Sequence, residues 1–133
     1  MKYALIPTLL LSFAAFTTKA EAANWVIASA RGAPVAIYYD SLSISRTATT
    51  ATIWVLYDYS SPETASGETY SSVVVRLTMD CTARMISAES NETLYSGRMG
   101  GGAVVSQYPG AIEAQKVVVP GSANDDVYRA ACG

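Results

Sequence analysis

The sequence predicts an α+β protein in which an antiparallel β-sheet of about five to six strands is crossed by a short C-terminal helix and held to it by one disulfide. Three observations support this fold class. Alternating apolar segments fill most of the chain, the connections between them are too short for parallel crossovers, and a helix-capping signal follows the last segment. The 133 residues are 50% hydrophobic and 15% charged, which suits one domain with a core and excludes disorder.

The first 22 residues are predicted to be a secretory signal peptide. Lys2 supplies a positive charge, an apolar run extends from Tyr3 to Phe16, and Ala20-Glu21-Ala22 fits the small-x-small cleavage pattern. The run is shorter than the roughly 20 apolar residues of a membrane span. No cysteine lies near the cut for lipid attachment. We therefore expect a single domain over residues 23–133 that is exported, to the periplasm, the cell surface or the medium, with no transmembrane segment or lipid anchor.

Strand signals follow one another through the first half of this domain. The two longest alternating segments, Thr50 to Tyr59 and Tyr70 to Asp80, are expected to be central strands. The polar segment 60–67 between them, with Pro62 and Gly67, predicts a hairpin loop. Shorter strand signals precede this pair, at Trp25–Ile27, Pro34–Tyr39 and Leu42–Ser45.

Weaker strand signals occupy the second half. Ala83 to Glu89 alternates again, and Asn91-Glu92 predicts a turn before Leu94-Tyr95. Arg98 to Gly102 is glycine-rich but lacks the Gly-Lys-Ser/Thr of a phosphate-binding loop, which favours a turn between strands. Val117–Val119 is the last strand signal.

A short helix is predicted after Pro120-Gly121. Ser122 and Asp125 have the spacing of a capping box in which Asp replaces the usual Glu. Asp125 and Asp126 fall in the first turn, where the helix dipole favours negative charge. One apolar face is expected to cover the sheet, formed by Val127, Tyr128, Ala131 and Cys132.

The two cysteines of the chain, Cys81 and Cys132, are predicted to form a disulfide because an even count in an exported protein is typical of structural bridges. The bridge would clamp the helix across the sheet and stabilise the fold by about 4 kcal/mol in the loop-entropy treatment. A redox or metal-binding pair is the alternative. The wide spacing and the absence of histidine disfavour both.

The composition disfavours most catalytic classes. The chain has no histidine, and Lys116 is the one lysine after the predicted signal peptide, so few groups are available to activate a nucleophile. We expect no enzymatic activity, no catalytic residue, no metal site and no cofactor. The net charge of -2 argues against a nucleic-acid partner. Low positive charge also predicts that binding to a protein would weaken little with added salt.

Several short elements occur in an order that resembles the surface-adhesin protein E family of Gram-negative bacteria. They are Trp25, Tyr38-Tyr39-Asp40, Ser43-Ile44-Ser45-Arg46, Trp54, Asp80-Cys81, Tyr95, Pro120-Gly121-Ser122 and the final Cys132. The resemblance implies an antiparallel sheet crossed by a C-terminal helix, and binding of host extracellular-matrix proteins such as laminin or vitronectin. This chain differs from the adhesive members in lacking a cysteine for a lipid anchor, and between Cys81 and Tyr108 its cations are Arg84 and Arg98.

Four of the nine tyrosines, Tyr38, Tyr39, Tyr57 and Tyr59, lie on adjacent predicted strands. They either pair across strands in the usual way or form a surface that contacts a protein partner. Two functions stay open at this point. One is an exported, non-enzymatic binding protein similar to the adhesins, and the other is a soluble periplasmic protein with an envelope-accessory or small-ligand-carrying role.

Overall fold

The computed structural model describes residues 23–30, 34–109 and 114–133, so the predicted signal peptide lies outside the described residues. The described chain forms strands, one 3-10 turn at Arg98–Gly100 and one helix. The strands are β1 (Trp25–Ser29), β2 (Val35–Asp40), β3 (Ser45–Arg46), β4 (Thr50–Ala65), β5 (Glu68–Asp80), β6 (Met85–Tyr95), β7 (Val104–Tyr108) and β8 (Lys116–Val117), and the helix is α1 (Ala123–Cys132).

The described strands form a single antiparallel sheet in the order β1-β2-β4-β5-β6-β7, with β3 paired to β4 and β8 paired to β6. The α+β class with a C-terminal helix is therefore confirmed. The sheet has eight strands where five to six were expected. β3 and β8 have two residues each and overlap the short signals at Leu42–Ser45 and Val117–Val119, whereas β7 lies in a segment where no strand was predicted.

In the hairpin between β4 and β5, the strands are longer and the turn that joins them is shorter than the sequence predicted. The strands continue through the polar segment 60–67 and are joined at Ser66 and Gly67, both with positive φ (52° and 77°) as in the primed turns of hairpins. The register shifts between Asp58 and Glu63, so Pro62 lies in a bulge where no ladder hydrogen bond is needed. The prediction of a loop over this whole segment was wrong because a bulge tolerates the same residues as a loop.

The turn expected at Asn91-Glu92 is also a bulge. β6 runs without interruption from Met85 to Tyr95, and its register with β5 shifts opposite the segment between Val74 and Arg76. Asn91 has a φ of 88°, a conformation that asparagine adopts more readily than most residues. The turn signal therefore marks a local distortion within one strand.

The core lies between α1 and one face of the sheet. Four odd-numbered residues of the central strands are at most 3% exposed, namely Ile53 and Val55 on β4 and Leu77 and Met79 on β5. They form one cluster with the apolar helix face that the sequence predicted, of which Val127, Tyr128 and Ala131 are buried. The strict alternation of a sheet brings these residues to one face.

Both ends of α1 are fixed. Ser122 caps the N-terminus by accepting a hydrogen bond from the backbone N–H of Asp125 at 3.2 Å, as the capping box predicted. At the other end Arg46 of β3 donates to the carbonyl oxygens of Ala130 and Ala131, where a cation is favoured by the helix dipole. The two-residue strand β3 therefore positions the side chain that binds the C-terminal end of α1.

The predicted disulfide is present. Cys81, which follows β5, is bonded to Cys132 in the last turn of α1, with their Cα atoms 5.7 Å apart. The Tyr128 hydroxyl donates to the Cys81 carbonyl oxygen at 2.8 Å, and the Arg84 guanidinium lies 4.8 Å from the centre of the Tyr128 ring. These contacts and the disulfide attach the helix to the end of the central strands.

Candidate functional site

The four tyrosines that the sequence singled out lie on the neighbouring strands β2 and β4 but on both faces of the sheet. Tyr39 and Tyr57 pack against the core cluster on the α1 side. Tyr59, two residues beyond Tyr57 on β4, continues on that side. Tyr38 is paired with Leu56 and lies on the opposite face. The structure therefore brings three of the four to one face and separates Tyr38 from them.

A cleft of about 220 Å³ lies on the α1 side of the sheet. We call it the aromatic cleft, and it is half-open to solvent. Its floor is apolar and shares Val75 and Leu77 with the core cluster. Its described lining residues are Tyr57, Tyr59, Tyr70, Val73, Val75, Leu77 and Glu92.

Tyr70 completes the cleft, although the sequence analysis did not select it. Its ring meets the Tyr59 ring edge to face, with centroids 5.8 Å apart and planes at 79°. Simple alternation back from Val73 would place Ser71 and not Tyr70 on this face. The register irregularity of the β4–β5 hairpin lies between these positions, and such a bulge changes the direction of the side chains near it. Because the bulge depends on how β4 pairs with β5, no sequence pattern within β5 alone would have identified Tyr70.

The electrostatics of the aromatic cleft are negative. The pKa of Tyr59 is raised, first by the desolvation of its partly buried hydroxyl and then by the negative charge of Tyr70, Glu63 and Glu92 on the ionised phenol. The shift thus reflects a partly buried hydroxyl close to carboxylates. The cleft presents phenol rings beside a carboxylate.

The opposite face of the sheet is covered near its centre by the segment 96–103. Asp58 of β4 is 1% exposed and accepts hydrogen bonds from Arg98, through Nε at 3.1 Å and an Nη at 2.5 Å. Its other oxygen accepts the backbone N–H of Met99 at 2.8 Å. Ser72 of β5 donates to the Gly97 carbonyl oxygen at 2.6 Å and accepts the Gly100 N–H at 2.9 Å. The segment is thus held on the sheet by buried polar groups.

The glycines of this segment serve close backbone approach. A Cβ at Gly97 would lie 2.8 Å from the Gly101 carbonyl carbon, and a Cβ at Gly102 would lie 2.8 Å from the Gly97 backbone nitrogen. Gly102 also has a φ of 73°, which disfavours any side chain. The glycine-rich run is therefore a packed turn between β6 and β7, in agreement with the turn predicted there.

Asp58 and Asp125 are buried and ion-paired. Asp125 also lies in the first turn of α1, as the sequence predicted. Asp125 accepts the Gly121 N–H at 2.9 Å and binds Arg129 at 2.6 Å and Arg84 at 2.8 Å. These bonds, the Gly121 N–H first, lower the pKa of Asp125 to about 2. Both aspartates have structural roles.

Within residues 23–30, 34–109 and 114–133, no three His, Cys, Asp or Glu side chains cluster as metal ligands would. The described chain also contains no helix of the length and hydropathy that a membrane crossing requires. Among the described residues, the aromatic cleft is the place where two of the tyrosines selected from the sequence, Tyr57 and Tyr59, lie together. Chemically it can accept apolar surface, hydrogen bonds to phenol groups and a positive charge.

Comparison with known proteins agrees with this fold. Residues 25–133 match the sequence profile of the family described as Surface-adhesin protein E. The chain belongs to the surface-adhesin protein E family. The resemblance inferred from the order of short elements is thereby confirmed. Family membership supports an adhesin-type role and an exported or surface location.

Solved structures of Haemophilus influenzae protein E have the same fold. The selenomethionine form has a TM-score of 0.57 at 13% identity, with 72% of this chain and 78% of that chain covered. The crystal structure from the non-typeable organism has a TM-score of 0.58 at 12% identity, with 79% of this chain and 72% of that one covered. The search of curated proteins gives no match. At such low identity the structural likeness concerns the fold.

Proposed function

We propose that this protein is an exported, non-enzymatic adhesin that attaches to a protein partner through the aromatic cleft, and that host extracellular-matrix proteins such as laminin or vitronectin are its partners. The observation that carries the proposal is the grouping of Tyr57, Tyr59 and Tyr70 over an apolar floor in a half-open cleft. Tyrosines are enriched at protein interfaces because the ring packs while the hydroxyl forms hydrogen bonds. Membership of the surface-adhesin protein E family supports the same role.

The chemistry of the cleft favours binding over catalysis. Its described lining consists of tyrosines, aliphatic side chains and one carboxylate. No serine, cysteine or lysine stands beside Glu92 among these residues to act as a nucleophile. Catalysis of group transfer generally requires such a pair. We therefore propose that the protein needs neither a cofactor nor a metal ion for its function.

A small-ligand-carrying role in the periplasm is the second candidate. The apolar floor formed by Val73, Val75 and Leu77 supports it, since ligand pockets are mostly apolar. The volume of about 220 Å³ argues against it. Pockets for whole small molecules usually span about 300–1,000 Å³. The cleft therefore suits a side chain of a partner better than a complete ligand.

The two candidates are separated by a biosensor measurement on the exported, disulfide-bonded protein. We expect micromolar binding to at least one of laminin, vitronectin and other immobilised matrix proteins. The double variant Tyr59→Leu, Tyr70→Leu should weaken this binding by more than about tenfold, the effect of losing an interface hot spot. Tyr38→Leu on the opposite face is the matched control and should leave the affinity unchanged.

Protease treatment of intact cells adds the location. Digestion of the protein on intact cells would agree with an adhesin exposed at the surface. No binding to any matrix protein at micromolar concentration, together with complete protection inside intact cells, would reject the adhesin proposal. That result would leave the periplasmic carrier as the remaining function.

A further inference from the structure

One asparagine of β6 has the sequence context of a glycan attachment site. Asn91 is followed two positions later by Thr93, which is the Asn-x-Ser/Thr pattern of N-linked glycosylation. The other two asparagines of the chain, Asn24 and Asn124, lack this pattern. Glu89 lies two positions before Asn91, where the acceptor sequences of bacterial N-glycosylation carry an acidic residue. The chain therefore contains one complete acceptor sequence, and it lies in β6.

The fold places Asn91 in a bulge. Between β5 and β6 the pair Val74–Thr93 is followed by the pair Arg76–Glu89. Two steps along β5 thus correspond to four steps along β6, so three residues of β6 lie opposite a single residue of β5. Asn91 is the middle residue of these three, is exposed and has a φ of 88°. Its side chain is therefore at the surface, in the part of the strand where the ladder is interrupted.

The ladder on the outer edge of β6 is also interrupted at Asn91. β7 pairs with this edge from Glu92 to Tyr95, and β8 pairs with it at Met85 and Ile86. Asn91 lies between the two ladders and outside the pairs that either of them forms. A bulky group attached there would meet no ladder of the described residues on this edge, so the sheet can accommodate it.

The bulge alone does not account for this choice of residues. A positive φ is tolerated by glycine, aspartate and asparagine alike, and it places no requirement on the residue two positions later. Thr93 pairs with Val74 and Gln107 inside the sheet, where another β-branched residue would serve equally well. Attachment of a glycan, in contrast, requires asparagine and a hydroxyl residue at this spacing, with the asparagine at the surface.

We propose that Asn91 carries an N-linked glycan, transferred to it in the bacterial envelope from an oligosaccharide on a polyprenyl diphosphate. The Nδ2 atom of Asn91 forms a bond to the anomeric carbon of the first sugar, and the bond from that carbon to the diphosphate oxygen breaks. The polyprenyl diphosphate leaves with the electron pair of the broken bond, and one amide proton passes to a basic group of the transferase. Nothing is oxidised or reduced. The inference goes beyond the proposed function, since it uses export of the chain but not its binding to a matrix protein.

Transfer of the glycan precedes completion of the sheet. In the folded protein Thr93 is paired on both sides, with Val74 and with Gln107, so its segment cannot enter a transferase. The acceptor sequence is accessible while the exported chain is still unpaired. After folding, a bulky and hydrophilic group at Asn91 shields the edge of β6 between β7 and β8 from pairing with a second chain.

Mass spectrometry of the protein isolated from the envelope of its own organism tests the inference. Trypsin releases residues 85–98 as one peptide by cleavage after Arg84 and Arg98. We expect this peptide to carry added mass in hexose and N-acetylhexosamine units. Electron-transfer fragmentation should locate the mass on Asn91 and not on a serine or threonine of the same peptide. The wild-type spectrum decides the site even if a variant fails to fold.

Four variants connect the added mass to the acceptor sequence. Asn91→Asp removes the amide nitrogen, keeps the size of the side chain and tolerates the positive φ, so the added mass should disappear. Thr93→Ala should also abolish it, whereas Thr93→Ser keeps the hydroxyl and should retain it. Asn124→Gln, at an exposed asparagine without the pattern, is the matched control and should leave the added mass unchanged.

An unmodified peptide in the exported wild-type protein would overturn the inference, as would added mass that is located on a hydroxyl group or that persists in Asn91→Asp. Failure of the inference is distinguishable from failure of the proposed function. Matrix binding by a protein without added mass would reject the glycan and leave the adhesin standing. A glycan on Asn91 without binding to any matrix protein would support the attachment site and reject the matrix partners.

Discussion

Arg98 binds Asp58 across 40 positions of sequence, and this pair fixes the turn between β6 and β7 onto the face of the sheet opposite α1. The carboxylate is buried, whereas the arginine side chain is 58% exposed. Asp58 therefore depends on the pair more than Arg98 does, because a buried charge without a compensating partner is costly. The pair therefore holds the turn as a covering layer on the sheet face opposite α1.

Asp58→Asn is expected to lower the free energy of unfolding by about 1–3 kcal/mol. The amide keeps one acceptor oxygen but directs donor hydrogens at Arg98 or at the Met99 N–H. Urea unfolding measures the loss, and hydrogen exchange of the Met99 and Gly100 amides should accelerate. Glu63→Gln, the corresponding change of carboxylate to amide away from this pair, is the control. Unchanged exchange at both amides would contradict the assigned role of Asp58.

Replacing Cys81 and Cys132 with serine is expected to cost about 2–5 kcal/mol of stability, as for disulfides of other small secreted domains. The bridge closes a long loop and anchors the last turn of α1 beside β5. Denaturant unfolding of the variant should resemble that of the wild-type protein in reductant. Two free thiols in the native exported protein, detected by alkylation without reductant, would disprove the bridge.

The stability of the protein is expected to fall at low pH through Asp125. Its pKa is about 2 in the folded chain, below the 3.8 of an unperturbed aspartate, so the folded state binds fewer protons than the unfolded state. The stabilisation is therefore complete above about pH 4 and is lost as the pH falls toward 2. Urea midpoints measured from pH 7 to pH 2 should converge for the wild-type protein and Asp125→Asn. Asp126→Asn, in the same helical turn, should show a smaller effect.

A separation between the wild type and Asp125→Asn that stays constant below pH 4 would contradict this role. It would mean that the bonds from Gly121, Arg84 and Arg129 do not depend on the charge of the carboxylate.

The exported protein is expected to begin at Ala23. The positive charge of Lys2, the apolar run and Ala20-Glu21-Ala22 together favour cleavage after Ala22. Mass spectrometry of the envelope fraction measures the N-terminus. Substituting Ala22 with a bulky residue should block cleavage, because the signal peptidase accepts small residues there. A protein recovered from the cytoplasm with Met1 intact would refute the prediction.

Local patterns were sufficient for the long central strands and the helix, because these depend on neighbours along the chain, but they did not reveal β7. Alternation identified β4 and β5, and Ser122 with Asp125 identified the start of α1. The same local signals misled where bulges occur. Pro62 and Asn91 favour a loop or a turn when considered alone, yet each is accommodated within a paired region.

By itself, the sequence determined the antiparallel architecture, the disulfide, the capped helix and the relationship to the surface-adhesin protein E family. Each depends on residue type and order along the chain. Only the tertiary structure decided that Tyr70 and Glu92 join Tyr57 and Tyr59 in one cleft, that Tyr38 does not, and that Asp58 is buried. These facts follow from strand register. A shift of one residue exchanges the two faces of a strand, and register is set by pairing between distant segments.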